Sequence, residues 1–270
     1  MLSHNQIKHI SALKVKKFRE EHQQFIAEGN KLVMDMVNST FHIAGIYASS
    51  EWILANLPLV RKNNIPVFET LPREMDRISA LSTPSPVLAV IDIPSLNQHI
   101  STLSHHHITT LTLALDDIRD PGNFGTIIRI ADWFGIETVL CSESCVDLYN
   151  PKVVQATMGS IARVKVIHCN LVETIHSLSA AAIQTRLLPS FPVYGTFLEG
   201  DPLFSQPLTD HGVIVIGNES RGISQELIPL ITQKLFIPSF ASSTPGKAES
   251  LNASIAAAII CAEFRRGKGN

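Results

Sequence analysis

Hydrophobic and polar positions alternate along this chain in two blocks of different character. In the first block, residues 5–37 are charged with apolar residues at helical spacing, which predicts two helices. Short apolar runs follow at 43–48 (IAGIYA), 66–69 (VFET) and 87–93 (VLAVIDI) and predict strands, with helical stretches near 51–57 and 71–80 between them. Such alternation predicts a small sheet flanked by helices. The pattern then lapses: residues 95–109 are polar, lack a period and read as a linker.

From residue 111 the alternation restarts more strongly. Strands are predicted at 111–115 (LTLAL), 138–141 (TVLC), 164–169 (VKVIHC), 213–217 (VIVIG) and 235–238 (LFIP). Helices are predicted over 122–135, 151–162, 171–182, 223–231 and 250–266, with Asp120 and Pro121 opening the first of these and Pro151 the second. Continuous apolar strands between helices indicate a parallel sheet covered on both faces. The fold class is therefore α/β, in three parts: a domain over 1–97, a linker over 98–109 and a larger domain over 110–270.

Composition supports this picture and removes several classes. The chain has 270 residues, 45% hydrophobic and 17% charged, enough apolar material for a core and enough length for two domains. No apolar run reaches the ~18–20 residues of a membrane span. The first 22 residues are polar and charged, without the apolar stretch of a signal peptide, so the expected location is cytoplasmic. Cys141, Cys145, Cys169 and Cys261 form no Cys-x-x-Cys pair and read as buried, reduced small hydrophobes. His105, His106 and His107 read as a solvated run rather than metal ligands, so no metal is expected.

A net charge of −2 argues against a binder that holds nucleic acid by bulk charge alone. The balance is uneven, however. Lys8, Lys14, Lys16, Lys17, Arg19 and Lys31 outnumber three acids in the first 31 residues, whereas 12 basic residues face 15 acidic ones after residue 100. A local basic face can still grip RNA.

Doubly wound sheets bind ligands at the carboxyl ends of their strands. The dinucleotide Gly-x-Gly-x-x-Gly, the P-loop and the Gly-x-Ser-x-Gly hydrolase elbow are all missing, and Pro245-Gly246-Lys247-Ala248 lacks two P-loop residues. Three other polar clusters stand beside predicted strands. The first contains Asn123-x-Gly125-x-x-x-Arg129; Asn123 also reads as a turn residue, and Arg129 lies within the otherwise apolar IIRIA. The second is Gly217-Asn218-Glu219-Ser220-Arg221-Gly222, where glycines let backbone approach a ligand and Glu219 also reads as a helix N-terminal acid. The third is Glu249-Ser250-Leu251-Asn252, with Ser250 expected to cap the last helix and Leu251 to wall an apolar slot.

In this order, the three clusters resemble the motifs of the SpoU (TrmH-type) branch of the SPOUT RNA methyltransferases over roughly residues 111–266. The carriers are Asn123-Phe124-Gly125-Thr126-Ile127-Ile128-Arg129, then Gly217–Gly222, then Ile237-Pro238 with Ser250-Leu251-Asn252 and an Ala-rich helix. The N-terminal third more loosely resembles an L30e-like substrate-binding domain, through Lys16-Lys17-Phe18-Arg19 and Phe25-Ile26-Ala27-Glu28-Gly29. One departure is the loop 239–248, longer here than in the family's common form; Ser243 or Lys247 at its tip would reach RNA.

The resemblance implies a trefoil-knotted domain that holds S-adenosylmethionine (AdoMet) bent, works as a homodimer and methylates a ribose 2′-oxygen of structured RNA, rRNA ahead of tRNA. Arg129 would stand beside the target ribose and assist its deprotonation. Asn123 would orient Arg129 or the ribose, Glu219 would anchor that arginine or position the nucleotide, and Ser250 and Asn252 would complete the polar ring. Backbone groups of Gly217, Ile237 and Leu251 would hold AdoMet, with Thr196 of the VYGTFLEG loop beside them. Lys16, Lys17 and Arg19 would bind RNA, and Ile255, Ile259 and Ile260 would face the second protomer. The alternatives are a non-enzymatic RNA-binding or assembly protein and a nicotinamide-dependent oxidoreductase.

Overall fold

The computed structural model describes residues 1–62, 64–94, 108–185, 190–240 and 250–267. The chain forms two compact units, one of residues 1–96 with 147–163, the other of residues 97–146 with 164–270.

Unit 1 opens with α1 (His4–Ala12), α2 (Lys16–His22), β1 (Gln24–Glu28) and α3 (Asn30–Val37). It continues through β2 (Ile43–Ala48), α4 (Ser50–Lys62), β3 (Val67–Glu69), α5 (Pro72–Ile78) and β4 (Val87–Asp92). The segment expected as two helices thus holds three helices and a strand. QFIAE is too short to show a period, yet four of its five residues are buried and it pairs antiparallel with β4. The sheet order is β1-β4-β2-β3, with only the β2–β3 pair parallel. One hydrophobic core gathers Ile7 and Ile10 of α1, Met75 and Ile78 of α5, and Ile26, Leu88 and Val90 of the strands.

A distant stretch completes this unit. Helix α6 (Pro151–Thr157) packs on β1, and the Tyr149 ring lies 4.7 Å from Phe25. A domain boundary drawn once near residue 97 misses this, because residues 147–163 carry the apolar Tyr149, Val153 and Val154 that cover β1. Burial holds the Tyr149 phenol well above its ordinary pKa, with Asp147 adding to the shift.

Unit 2 runs β5 (Leu111–Leu115), α7 (Pro121–Trp133), β6 (Thr138–Cys141), β7 (Lys165–His168), α8 (Leu171–Thr185), β8 (Val193–Pro202), β9 (Gly212–Ile216), β10 (Gln233–Phe236) and α9 (Ala253–Arg265). All six strands are parallel, in the order β10-β8-β9-β5-β6-β7. The chain steps outward from β5 to β7, then returns to place β9 beside β5. Loops following β5 and β9 therefore meet at a reversal of strand order, where open parallel sheets form their ligand crevice.

Three expectations change in unit 2. Residues 223–231 form turns and a short 3-10 helix at Ile228–Leu230 rather than an α-helix, since Pro229 lacks the N–H a continuing helix needs. Thr196 lies in the long strand β8, not in a loop. Asn252, not Ser250, caps the terminal helix, accepting from Ser254 N at 2.9 Å and Ile255 N at 3.3 Å. That cap contributes about 1 kcal/mol. Helix α9 packs on α7, and Arg265 donates to the Phe134 and Gly135 carbonyls at its end. Ile260 is 2% exposed within the protomer's own core, so it presents no surface to a second copy.

Cys141, Cys145 and Cys261 are buried and Cys169 is half-buried; none is in a disulfide. Burial raises all four thiol pKa values, that of Cys261 to about 12, so the thiols stay protonated at neutral pH. No helix of the described residues is long and apolar enough to cross a membrane. Residues 95–107 and 241–249, with His105–His107, Ser243, Lys247 and Glu249, lie outside the described residues.

Candidate active site

Asp120 caps α7 by accepting from Asn123 N at 2.8 Å, which puts Asn123 in the first helical turn, at the carboxyl edge of the sheet. Glu219 follows β9, in a reverse turn closed by paired backbone hydrogen bonds between Asn218 and Gly222. Asn252 arrives from the other end of the chain. These three side chains form one directional hydrogen-bond chain. Asn252 Oδ1 must accept from the α9 amides, so its Nδ2 faces Asn123 and donates to Oδ1 at 2.9 Å. Asn123 Nδ2 in turn donates to Glu219 Oε1 at 2.6 Å. Helix capping thus sets the polarity of both amides, and Glu219 ends the chain with Oε2 unpaired among the described residues.

A cavity of about 1000 Å3 opens beside this chain, at the upper limit of the usual ~300–1,000 Å3 for small-molecule sites. Thr196, Gly217, Glu219, Ile237, Ser250 and Leu251, all singled out from sequence, line it. Its walls are apolar at Ile216, Leu235 and Ile260, and polar at Glu219 and Ser250. A Cβ on Gly217 would sit 2.3 Å from the Gly222 carbonyl carbon, so only glycine lets the turn fold back this tightly. An apolar slot with close backbone on one side and polar groups on the other fits an adenosine bearing a charged tail. Gly217→Ala should open the turn, lower stability by roughly 1–3 kcal/mol and weaken nucleoside binding, which thermal melts and calorimetry would read.

Not every expected residue joins this site. Arg129 lies six residues after Asn123 on α7, is exposed, and makes no hydrogen bond or ion pair with a described residue. Six residues advance about 9 Å along a helix and turn it about 240°, so the two side chains leave from different faces. In unit 1, Lys16 is exposed and pairs with Glu20 at 3.6 Å, and Lys17 is exposed. Arg19 overturns its expectation as an RNA contact: it is 2% exposed, with Nε donating to Asp147 Oδ2 at 3.1 Å and Nη1 to the Leu13 carbonyl at 2.8 Å.

The structure also shows residues that the motifs did not single out. Asp116 and Asp117 follow β5 and latch both ends of the Glu219 turn. Asp116 Oδ2 accepts from Ser224 N at 2.7 Å, and the Asp117 carbonyl accepts from Asn218 Nδ2 at 2.8 Å. Asp117 has φ +57°, a left-handed conformation that Asp tolerates better than most residues. Two acids in tandem after an apolar strand were the available signal.

Comparison with known proteins matches this geometry to a family. Residues 110–262 match the SpoU rRNA Methylase family, and residues 4–89 match an MRM3-like substrate binding domain. Among curated proteins, the chain is 27% identical over 260 residues to the 23S rRNA (guanosine(2553)-2′-O)-methyltransferase RlmP of Bacillus subtilis, covering 96% of this chain and 95% of that one. Among solved structures, a TrmH-family protein from Porphyromonas gingivalis is 37% identical with a TM-score of 0.80, covering 98% of this chain and 99% of that one. An AdoMet-bound rRNA methyltransferase from Sinorhizobium meliloti is 27% identical with a TM-score of 0.78, covering 98% and 96%. Fold and site define an AdoMet-dependent RNA methyltransferase. The chain belongs to the SpoU rRNA methylase family.

Proposed function

We propose that this protein methylates a ribose 2′-hydroxyl of large-subunit rRNA, with AdoMet in the cavity lined by Gly217, Ile237 and Leu251. The observation that carries this reading is the Asn252–Asn123–Glu219 hydrogen-bond chain at the rim of that cavity. The B. subtilis relative, matched over nearly its full length, supports rRNA ahead of tRNA.

AdoMet supplies an activated methyl group on a sulfonium. What the protein must add is alignment of oxygen, carbon and sulfur, and relief of the hydroxyl proton. Backbone groups at Gly217, Ile237 and Leu251, with Thr196 beside them, hold the adenosine and its tail. Glu219, Asn123, Asn252 and the Ser250 hydroxyl frame the ribose. Although it stands apart from the hydrogen-bond chain and the cavity, Arg129 is assigned an electrostatic role toward the reacting oxygen once RNA is bound; a guanidinium with a pKa above ~12 is no base, so the proton passes to water or a neighbouring phosphate. Lys16 and Lys17 of the N-terminal unit contact the RNA.

We further infer a cytoplasmic homodimer with the family's trefoil knot. Trp133 at the end of α7 is 84% exposed and Ile255 on α9 is 52% exposed, large apolar side chains on two packed helices that a second copy would cover.

Leu251→Arg tests the cavity. Leu251 lines the cavity while 45% exposed, so a longer cationic side chain there should crowd the slot and repel the sulfonium, weakening AdoMet binding more than about tenfold by calorimetry, or ~1.4 kcal/mol. Unchanged binding would remove AdoMet from this cavity. Incorporation of labelled methyl groups into unmodified large-subunit rRNA, mapped to a 2′-O position, tests the reaction; incorporation only into tRNA or only into bases would overturn the substrate or the atom.

A further inference from the structure

We infer that Arg119 and Arg221, yoked by Asp117, form a phosphate clasp that grips the RNA backbone beside the target ribose. This rests on the functional reading above and adds a binding site to it.

The two arginines sit on the two loops that build the site. Arg119 precedes the Asp120 cap of α7 and lies four residues before Asn123; Arg221 follows Glu219 by two. Since Asn123 and Glu219 are bonded at 2.6 Å, both guanidinium groups stem from the rim of the same crevice. One carboxylate holds them both. Arg119 Nε donates to Asp117 Oδ1 at 2.7 Å, and Arg221 Nη1 lies 3.6 Å from Asp117 Oδ2.

Stability does not account for this arrangement. The arginine side chains are 57% and 69% exposed, and exposed ion pairs contribute about 0–1 kcal/mol. Each guanidinium has five N–H donors and directs one nitrogen at Asp117, and the remaining donors have no partner among the described residues. The shared carboxylate narrows the reach of two long side chains, and Asp117 neutralises only one of the two guanidinium charges, with Asp116, Asp120 and Glu219 on the same loops engaged by backbone or amide donors. Planar guanidinium forks pair with phosphate oxygens in two-pronged fashion.

The cations of unit 2 point the same way. Among its described residues, Lys234 lies over the Phe197 ring, Arg265 is bonded to the Phe134 and Gly135 carbonyls, and Arg266 pairs with Glu263. Lys165 begins β7 and so lies at the opposite, amino edge of the parallel sheet. That leaves Arg119 and Arg221 at the carboxyl edge, with Arg129 about 9 Å beyond Asn123 along α7. Residues after 100 carry more acid than base, so RNA must be held there by a local group rather than by a general field. Backbone phosphates set register and orientation in nucleic-acid complexes, which a transfer needing in-line geometry requires.

The test uses the full chain and unmodified large-subunit rRNA. Arg119→Gln with Arg221→Gln should raise the RNA Kd in filter binding by about 10- to 100-fold. It should also flatten the slope of log K against log salt by about 0.7–0.9 per lost phosphate contact. AdoMet affinity of Arg119→Gln alone, at a residue that does not line the cavity, should stay within twofold by calorimetry, which separates the clasp from the cavity and from misfolding. The double lysine variant should restore the salt slope but only part of the affinity, because it keeps charge and loses the fork. An unchanged RNA Kd and salt slope in the glutamine variant, with the wild type active, would overturn the clasp alone. A wild type that neither binds nor methylates the RNA would overturn the functional reading and the clasp with it.

Discussion

Arg129→Ala should lower methyl transfer to rRNA by about 10²–10³-fold while AdoMet affinity stays unchanged. That range is the usual consequence of removing one group that stabilises developing charge in a transition state. The side chain is exposed and has no partner among the described residues, so its loss should leave the melting temperature within a degree or two. Arg129 does not line the cavity, which is why AdoMet binding should be indifferent to it. Arg129→Lys keeps the charge but loses the planar fork and should recover only part of the rate. Single-turnover transfer at saturating RNA and AdoMet is the decisive measurement. A rate near wild type would remove Arg129 from the reaction and leave Glu219 as the residue to examine.

How much of this was legible beforehand depended on the physical scale of each signal. The buried parallel strands were legible because apolar runs such as LTLAL and TVLC leave little choice of environment. β1 was not, because five residues between two helices carry too little pattern to display a period of two. The 223–231 segment misled for the opposite reason: its apolar spacing was helical, but Pro229 outweighed it. At the site, Gly217, Glu219, Ile237, Ser250 and Leu251 followed from the motifs taken in order, whereas the wall formed by Phe197, Leu203 and Phe204 belonged to none of them. The polarity of the amide chain could not be read, since it depends on Asn252, rather than Ser250, capping α9. Arg19 shows the limit most plainly. A basic run of Lys16-Lys17-Phe18-Arg19 looks uniformly solvent-facing in sequence, but the helix turns Lys16 outward and Arg19 inward, and Arg19's partner lies 128 residues away.

Asp147→Ala should destabilise the N-terminal unit by about 3–5 kcal/mol, among the largest single-residue effects expected in this chain. The Arg19 side chain is 3% exposed, and Asp147 supplies its only negative partner among the described residues. Removing that carboxylate leaves a guanidinium charge buried, held only by the Leu13 carbonyl, at a cost far above that of losing a surface pair. It also frees Tyr149 N, which donates to Asp147 Oδ1 at 3.0 Å, and so loosens the turn that brings Tyr149 onto Phe25. Arg19→Met should cost less, because an apolar side chain of similar length suits the site and leaves behind a carboxylate that is 19% exposed and still accepts from Tyr149 N. The Arg19→Met, Asp147→Ala pair should therefore be more stable than Asp147→Ala alone, a non-additivity that urea melts would resolve as an interaction energy. If Asp147→Ala melts within about 1 kcal/mol of wild type, the buried pair carries no such weight. The same argument governs any RNA-binding survey of this basic run: loss of binding in an Arg19 variant would report on folding, whereas Lys17→Ala, at an exposed position, would report on RNA.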